Sequence, residues 1–194
     1  MQEDYTFDDL DNISEETISI IPDKTLIPKM GKTGYTTPQA IAELIDNSID
    51  ATIENEKLVI TIEINKDSIE VVDNGNGMTK EIVSNAMRLA HSTKNKKLGE
   101  YGLGLKTACM SLGKSFSINT TTKNNKDGYY IKYNEKEWME NKNIHWENYP
   151  IHIIKKKNVN DHGTRIKITD LLIKYNPTIA SRLIKDLSTR CTVA

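Results

Sequence analysis

The stretch AELIDNSIDA, residues 42–51, carries a carboxylate, a carboxamide and a second carboxylate within an apolar pattern that has the period of a helix. At about 100° per residue, Glu43, Asn47 and Asp50 fall within an arc of roughly 60°. The side chains expected to be buried occupy the opposite arc and are Ile41, Leu44, Ile45, Ile49 and Ile53. The simplest interpretation is an amphipathic helix with a solvated face, and the rest of the chain decides whether the polar arc is a site.

The composition predicts one soluble domain. The chain has 194 residues, of which 37% are hydrophobic and 27% are charged. A net charge of -1 gives no overall electrostatic argument for nucleic acid. No apolar run approaches the roughly 18 residues of a membrane span, and no secretory segment is present, so we expect no membrane partner. Cys109 and Cys191 lie far apart, which favours a reducing, cytoplasmic location over a disulfide framework.

The chain start predicts an arm followed by a folded domain. Residues 1–20 hold seven acidic residues and no Lys or Arg, which suits packing on a partner. We assign residues 1–35 to this arm and an irregular connection, and residues 36–194 to the domain. The motif TTPQA then predicts a helix with Thr37 as N-cap and Pro38 at its first position, running to about Glu54.

The remaining elements predict an α+β fold. KLVITIEI and SIEVVD alternate apolar residues around the turn 65–67, which indicates a β-hairpin. A helix follows Thr79, a long loop spans 91–104, and LKTACMSLG is helical up to Gly113. Four strands, SFSINTTT, GYYIKYN, PIHIIK and TRIKITDL, precede a final helix in NPTIASRLIKDLS. This order predicts a two-layer α/β sandwich with helices on one face of a mostly antiparallel mixed sheet.

The motif DNGNGM, residues 73–78, follows a strand and precedes a helix. Its simplest interpretation is a tight Asn-Gly turn. As a site, Asp73 would accept a hydrogen bond from the exocyclic amino group of adenine, whereas guanine would present a carbonyl there. Gly75 and Gly77 would let a flat ligand approach the backbone, and Met78 would form an apolar wall.

The motif GEYGLGLKTA, residues 99–108, places Gly99, Gly102 and Gly104 where a loop becomes a helix. Glycine-rich turns at a helix N-terminus expose N–H groups that suit phosphate, although this spacing matches neither the Rossmann fingerprint nor the P-loop. Lys94 in the preceding loop could reach a terminal phosphate, or could be a solvated surface lysine. The other expected ligand-binding residues of the loop and helix start are Ser92, Thr93, Leu103, Leu105 and Lys106.

These motifs together resemble a known superfamily. Residues 42–51, 73–78, 99–106 and DHGTRIKI at 161–168 are similar, in order and spacing, to the N, G1, G2 and G3 boxes of the GHKL ATPases. That superfamily contains DNA gyrase B subunits, ninety-kilodalton heat-shock chaperones, histidine kinases, MutL proteins and MORC proteins. The resemblance covers about residues 36–170 and implies a Bergerat-type ATP-binding sandwich. The segment AHSTKNKKLGEYGLGLKTACMSLG is most similar to the MORC-like and chaperone-like group.

The resemblance also implies roles for individual residues. Glu43 corresponds to the general base that activates the attacking water, Asn47 to the Mg²⁺ ligand, and Asp50 to a supporting polar group. The remaining correspondences are Asp73 with Gly75 and Gly77 for adenine, Gly102 and Gly104 for phosphate, and Thr164 for adenine together with a water.

The function implied by the resemblance is Mg²⁺-dependent binding and hydrolysis of ATP, coupled to an ATP-dependent homodimer in which the arm packs on the neighbour. Two alternatives are a nucleotide-sensing module with negligible turnover and the ATPase part of a DNA-associated protein. The basic residues that would favour nucleic acid are Arg88, Lys94, Lys96, Lys97, Lys155, Lys156 and Lys157. Only about 24 residues follow residue 170, so we expect the transducer domain that would serve a DNA or protein client to be absent.

Overall fold

The computed structural model describes residues 16–18, 20–32, 34–88, 103–173, 181 and 185. Most of the predicted arm, most of the predicted final helix, and the predicted site residues Ser92, Thr93, Lys94, Gly99 and Gly102 lie outside these ranges. The elements in chain order are α1 (Leu26–Lys32), α2 (Thr37–Asp50), β1 (Ile60–Ile64), β2 (Ser68–Asp73), α3 (Lys80–Met87), α4 (Gly104–Leu112), β3 (Gly113–Thr121), β4 (Asp127–Asn134), α5 (Glu135–Glu140), β5 (His152–Lys155) and β6 (Gly163–Leu171). None of the helices in the described ranges is long and apolar enough to cross a membrane.

The six strands form one sheet in the order β1-β2-β6-β3-β4-β5. All the strand pairs of the described chain are antiparallel. Alternation along the strands buries one face, where Ile69, Ile118 and Ile168 pack with helices α2 and α4, and turns Arg165 and Lys167 to the other face. The prediction of an α+β sandwich is therefore confirmed.

The hairpin and the start of α3 agree with the sequence patterns. In the β1–β2 hairpin, Ile64 pairs with Ile69, and the Asn65 N–H donates to the Ser68 carbonyl at 2.8 Å. Thr79 is the N-cap of α3, where its hydroxyl oxygen accepts from the Ile82 N–H. Both were predictable because the alternation and the cap are local signals.

Both ends of α2 differ from the prediction. The N-cap is Thr36 rather than Thr37, because the Gln39 side-chain oxygen accepts from both the N–H and the hydroxyl of Thr36 and starts the helix there. The helix ends at Asp50, not near Glu54. The Ala51 carbonyl accepts the Asn76 N–H, from the loop after β2, at 2.6 Å. In a longer helix this carbonyl would instead accept a helical N–H.

The buried face of α2 is also rotated from the one predicted. Ile41, Leu44 and Ile45 are buried as expected, but Ile49 is 46% exposed and Ser48 is buried in its place. On a helical projection Ser48 lies between Leu44 and Ile41, near the middle of the buried arc, whereas Ile49 lies beyond its edge. The buried arc thus contains one polar side chain, Ser48, which hydrogen-bonds to Asp73.

Two helices were not predicted from the sequence. α1 lies within residues 1–35, which were assigned to the arm and an irregular connection. It packs so closely on α4 that a Cβ at Gly31 would lie 2.3 Å from the Met110 carbonyl oxygen. α5 has only six residues, begins after Asn134, whose side chain accepts the Glu137 N–H, and buries Trp138. Both depend on tertiary packing more than on periodicity.

Candidate nucleotide site

A buried carboxylate marks one end of the site. Asp73, at the end of β2, is 9% exposed. Its Oδ1 accepts the N–H of Gly75 at 2.9 Å and that of Thr164 at 3.1 Å. Its Oδ2 accepts the Ser48 hydroxyl at 3.2 Å. Three donors therefore fix the carboxylate, and Oδ2 retains capacity for a further donor from a ligand.

The sheet register explains how these groups meet. β2 and β6 are antiparallel neighbours, and Asp73 lies directly opposite Thr164. The preceding Gly163 has a φ of 116°, and a Cβ there would lie 2.0 Å from the Asp73 carbonyl oxygen. Only glycine fits that position, so the start of β6 approaches the end of β2 closely enough to hydrogen-bond the carboxylate.

Hydroxyl and imidazole groups hold the loop after Asp73. The Thr120 hydroxyl oxygen accepts the Met78 N–H at 2.8 Å and lies 3.0 Å from the Thr164 hydroxyl oxygen. His162 Nδ1 lies 2.9 Å from the Gly75 carbonyl oxygen. Three of these site residues were not predicted from the sequence, namely Thr120, His162 and Ser48. A serine among the buried apolar positions of α2 was the one local signal available.

Close backbone packing accounts for the two glycines of DNGNGM. Gly77 has a φ of 66°, and a Cβ there would lie 1.9 Å from the Thr121 carbonyl oxygen. A Cβ at Gly75 would lie 2.6 Å from the Ala51 carbonyl oxygen. Glycine is thus required at both positions by the protein's own main chain, before any ligand is considered.

The other end of the site contains Glu43 and Asn47, both partly buried on α2. Asn47 Nδ2 donates to the Glu43 carbonyl at 2.7 Å and lies 3.4 Å from Glu43 Oε1. A Cβ at Gly104 would lie 1.9 Å from Glu43 Oε1, so the carboxylate lies against the first turn of α4, where the helix dipole favours negative charge. Asp50 lies on the exposed side of α2.

Tyr35 interacts with Glu43, although no sequence pattern indicated this. Its N–H donates to the Ser111 hydroxyl at 3.1 Å, which fastens the segment before α2 to α4. Burial and, after it, the negative charge and hydrogen bonding of Glu43 raise the pKa of the Tyr35 hydroxyl. The phenol therefore stays protonated at neutral pH and can donate to the carboxylate.

Helix α2 connects the Asp73 end of the site to the Glu43 end. Ser48 of α2 contacts Asp73, and Glu43 of the same helix contacts Gly104. Five residues of helix separate Glu43 and Ser48 by about 7.5 Å along the axis, with Asn47 between them. The arrangement suits an elongated ligand that places a hydrogen-bond donor at Asp73 and a charged group near Glu43.

The other predicted ligand-binding residues of the described chain lie around α4 and in the core. Leu103 is the N-cap of α4, where its carbonyl accepts the Thr107 N–H at 3.0 Å. Leu105 and Met78 are partly buried against the core. Lys106 is 1% exposed and donates to the Ala86 carbonyl of α3 at 2.5 Å. The structure thus places the Lys106 ammonium at the end of α3.

We expect Lys106→Met to stabilise the fold in a pH-dependent way. Burial lowers the pKa of Lys106 from 10.5 to about 8, against a smaller opposing effect of Cys109. Between these values the unfolded wild-type chain binds more protons than the folded chain, so its stability rises with pH. The free energy of unfolding of Lys106→Met should therefore exceed that of wild type most near pH 7. This difference should shrink by on the order of 3 kcal/mol by about pH 10.5.

Urea unfolding of both chains at several pH values measures this difference, and groups that titrate identically in the two chains cancel. A constant difference across the range would show that Lys106 is not buried as an amine of lowered pKa.

A sequence profile described as histidine kinase-, DNA gyrase B- and HSP90-like ATPase matches residues 35–164, which is more than half of the chain. The chain belongs to this family. The match includes Glu43, Asn47, Asp73 and Thr164, and it confirms the resemblance to the GHKL ATPases.

Individual relatives of this GHKL domain include MORC proteins. Protein MICRORCHIDIA 3 of Arabidopsis thaliana is 38% identical over 90 residues, 42% of this chain and 15% of the relative. ATPase morc-1 of Caenorhabditis elegans is 37% identical over 82 residues, 42% of this chain and 10% of the relative. ATPase MORC2B of Mus musculus is 29% identical over 150 residues, 71% of this chain and 14% of the relative. The chain is thus a GHKL ATPase domain close to MORC, and it spans between 10% and 15% of these relatives' lengths.

The basic run at 155–157 is largely engaged within the GHKL domain. Lys155 pairs with Asp127 at 2.5 Å. The Lys156 ammonium donates to the carbonyls of Thr122 and Val159, each at 2.9 Å. Two of the three lysines in this run, Lys155 and Lys156, therefore make contacts within the domain, although the Lys155 side chain remains 78% exposed.

Proposed function

We propose that this chain binds Mg²⁺-ATP along α2, with the adenine at Asp73 and the phosphates at the start of α4, and hydrolyses the γ-phosphate with Glu43 as general base. The observation that supports the proposal most strongly is that one helix, α2, contributes side chains to both ends of the site. α2 presents Ser48 to the Asp73 carboxylate and Glu43 to the first turn of α4. Family membership independently supports ATP as the ligand.

The Asp73 end suits adenine for a simple chemical reason. Asp73 Oδ1 already accepts two backbone N–H groups, whereas Oδ2 accepts only the Ser48 hydroxyl. The amino group of adenine is a donor that this acceptor can receive. Guanine would present a carbonyl oxygen to the carboxylate, and the resulting repulsion favours ATP over GTP.

The Asn47 side chain fits the role of a magnesium ligand. Its Nδ2 donates to the Glu43 carbonyl, which leaves Oδ1 as the atom that can ligate a cation. Mg²⁺ prefers oxygen ligands and is held mainly by phosphate oxygens and waters, with one or two protein groups. Bound with ATP, Mg²⁺ would neutralise charge on the phosphates.

The Glu43 end supplies the reaction's general base. The carboxylate accepts a proton from a water, whose oxygen forms a bond to the γ-phosphorus. The bond between the γ-phosphorus and the β–γ bridging oxygen breaks, giving ADP and inorganic phosphate. The N–H groups and dipole at the start of α4 stabilise the negative charge on the transferred group.

We expect Tyr35→Phe to lower kcat about 3- to 10-fold and to leave the KM for ATP nearly unchanged. The variant removes only the hydroxyl that donates to Glu43, so the base is less well oriented while the adenine contacts persist. Steady-state kinetics measure both parameters.

Tyr129→Phe, which removes a tyrosine hydroxyl on β4, is the matched control and should behave as wild type. An unchanged kcat in Tyr35→Phe would show that Tyr35 does not position Glu43.

We further propose that ATP favours a homodimer and that turnover requires it. The resemblance to dimerising GHKL proteins motivates this step. The test is phosphate release from Mg²⁺-ATP per chain as a function of protein concentration, with Glu43→Ala as the blank. A per-chain rate that rises with concentration supports coupled dimerisation. A rate that exceeds the blank but is independent of concentration refutes the coupling, and a rate equal to the blank refutes hydrolysis by this chain alone.

A further inference from the structure

A cavity lies at the end of α3 that is far from Asp73. Met78 precedes α3 near Asp73, whereas Met87 and Arg88, at the other end of α3, line a cavity of about 420 Å³. The eight residues of α3 span about 12 Å and separate this cavity from the Asp73 end of the nucleotide site. A volume in this range suits a small organic molecule.

Aromatic rings form much of the wall of this cavity. The rings of Trp138 and Trp146 meet edge to face with centroids 5.1 Å apart, and Trp138 and Tyr149 have centroids 5.7 Å apart. Ile131 and Met87 add aliphatic surface. Such walls favour an aromatic occupant, because ring contacts stabilise a complex beyond the burial of apolar area.

One charged group of the wall is accessible to an occupant. The exposed Arg88 side chain makes no hydrogen bond or ion pair within the ranges that the structure describes. A guanidinium is a donor only, so an occupant complementary to it carries an acceptor, and preferably a negative charge.

We infer that this cavity is a binding site for a small aromatic molecule with an anionic group, such as an aromatic carboxylate. The rings of Trp138, Trp146 and Tyr149 contact its apolar part, and the Arg88 guanidinium pairs with its charge. The site lies away from the Asp73 end of the nucleotide site and does not require bound ATP.

Tryptophan emission gives a direct test. The chain contains two tryptophans, and both line the cavity. Biphenylacetate and its neutral analogue biphenylacetamide are the probes, titrated into the full chain under selective tryptophan excitation. We expect saturable changes in emission, with the carboxylate binding at least about 10-fold more tightly than the amide, as is typical of a charge-assisted contact.

Three variants locate the site. Arg88→Gln should reduce the preference for the carboxylate to about twofold or less, whereas Lys80→Gln, at the other end of α3, should keep it. Ser84→Phe, which fills the cavity from an exposed position on α3, should abolish binding of both probes. Unchanged Tm values confirm that the variants fold. Absent binding, equal binding of the two probes by wild type, or full binding by folded Ser84→Phe would overturn the proposal.

Discussion

Replacing Asp73 with asparagine should weaken ATP binding by at least about 100-fold while the domain stays folded. The amide oxygen of asparagine can still accept the N–H groups of Gly75 and Thr164, so the loop and β6 keep their contacts. The amide nitrogen then replaces Oδ2 and faces the amino group of adenine, donor against donor. A mismatched buried donor costs about 3 kcal/mol, which corresponds to that loss of affinity.

Calorimetric titration of ATP into wild type and Asp73→Asn measures this effect, and thermal unfolding checks the fold. Asp67→Asn, in the exposed turn of the β1–β2 hairpin, is the matched control and should bind ATP as wild type does. Wild type should also prefer ATP to GTP. Near-normal ATP affinity in a folded Asp73→Asn chain would exclude Asp73 as the adenine acceptor.

Replacing Glu43 with alanine should abolish hydrolysis and preserve ATP binding. The carboxylate lies against the start of α4, away from the Asp73 end where we propose that adenine binds, so we expect its loss to remove the base without removing the adenine contacts. A positioned general base contributes about 10²- to 10⁴-fold, and we expect kcat to fall by at least about 100-fold. ATP affinity should change by less than about fivefold, since adenine recognition persists.

Single-turnover formation of ADP and equilibrium binding of ATP give the two readouts. Asp46→Ala removes an exposed carboxylate from the same helix and should leave both unchanged. Hydrolysis by Glu43→Ala at the wild-type rate would assign the base to another residue. A parallel loss of binding and hydrolysis would instead mean that Glu43 holds the nucleotide or the fold.

The local elements were largely predictable. The alternation on either side of residues 65–67 predicted the hairpin, and Thr79 predicted the start of α3. Both signals arise within a few residues, where turn and cap preferences act. The α1 helix was not predictable in this way, because Pro28 and Gly31 disfavour it locally and close packing on α4 stabilises it.

The site depends on contacts that no local pattern encodes. Thr164 meets Asp73 across 91 residues through the pairing of β2 with β6. Sequence motifs placed both residues in one pocket only through resemblance to a family. Tyr35 and Thr120 were missed for the same reason, since their roles follow from the packing of α4 and β3 against distant segments. Ser48 was missed as well, although a polar residue at a buried helical position is a signal that the sequence does contain.

The position of a bound nucleotide tests the central claim most directly. We would determine the crystal structure of this chain with Mg²⁺ and a non-hydrolysable ATP analogue. The account predicts the adenine amino nitrogen about 3 Å from Asp73 Oδ2 and the γ-phosphate beside Glu43 at the start of α4. An adenine bound away from Asp73, or phosphates directed away from Glu43 and Gly104, would contradict it.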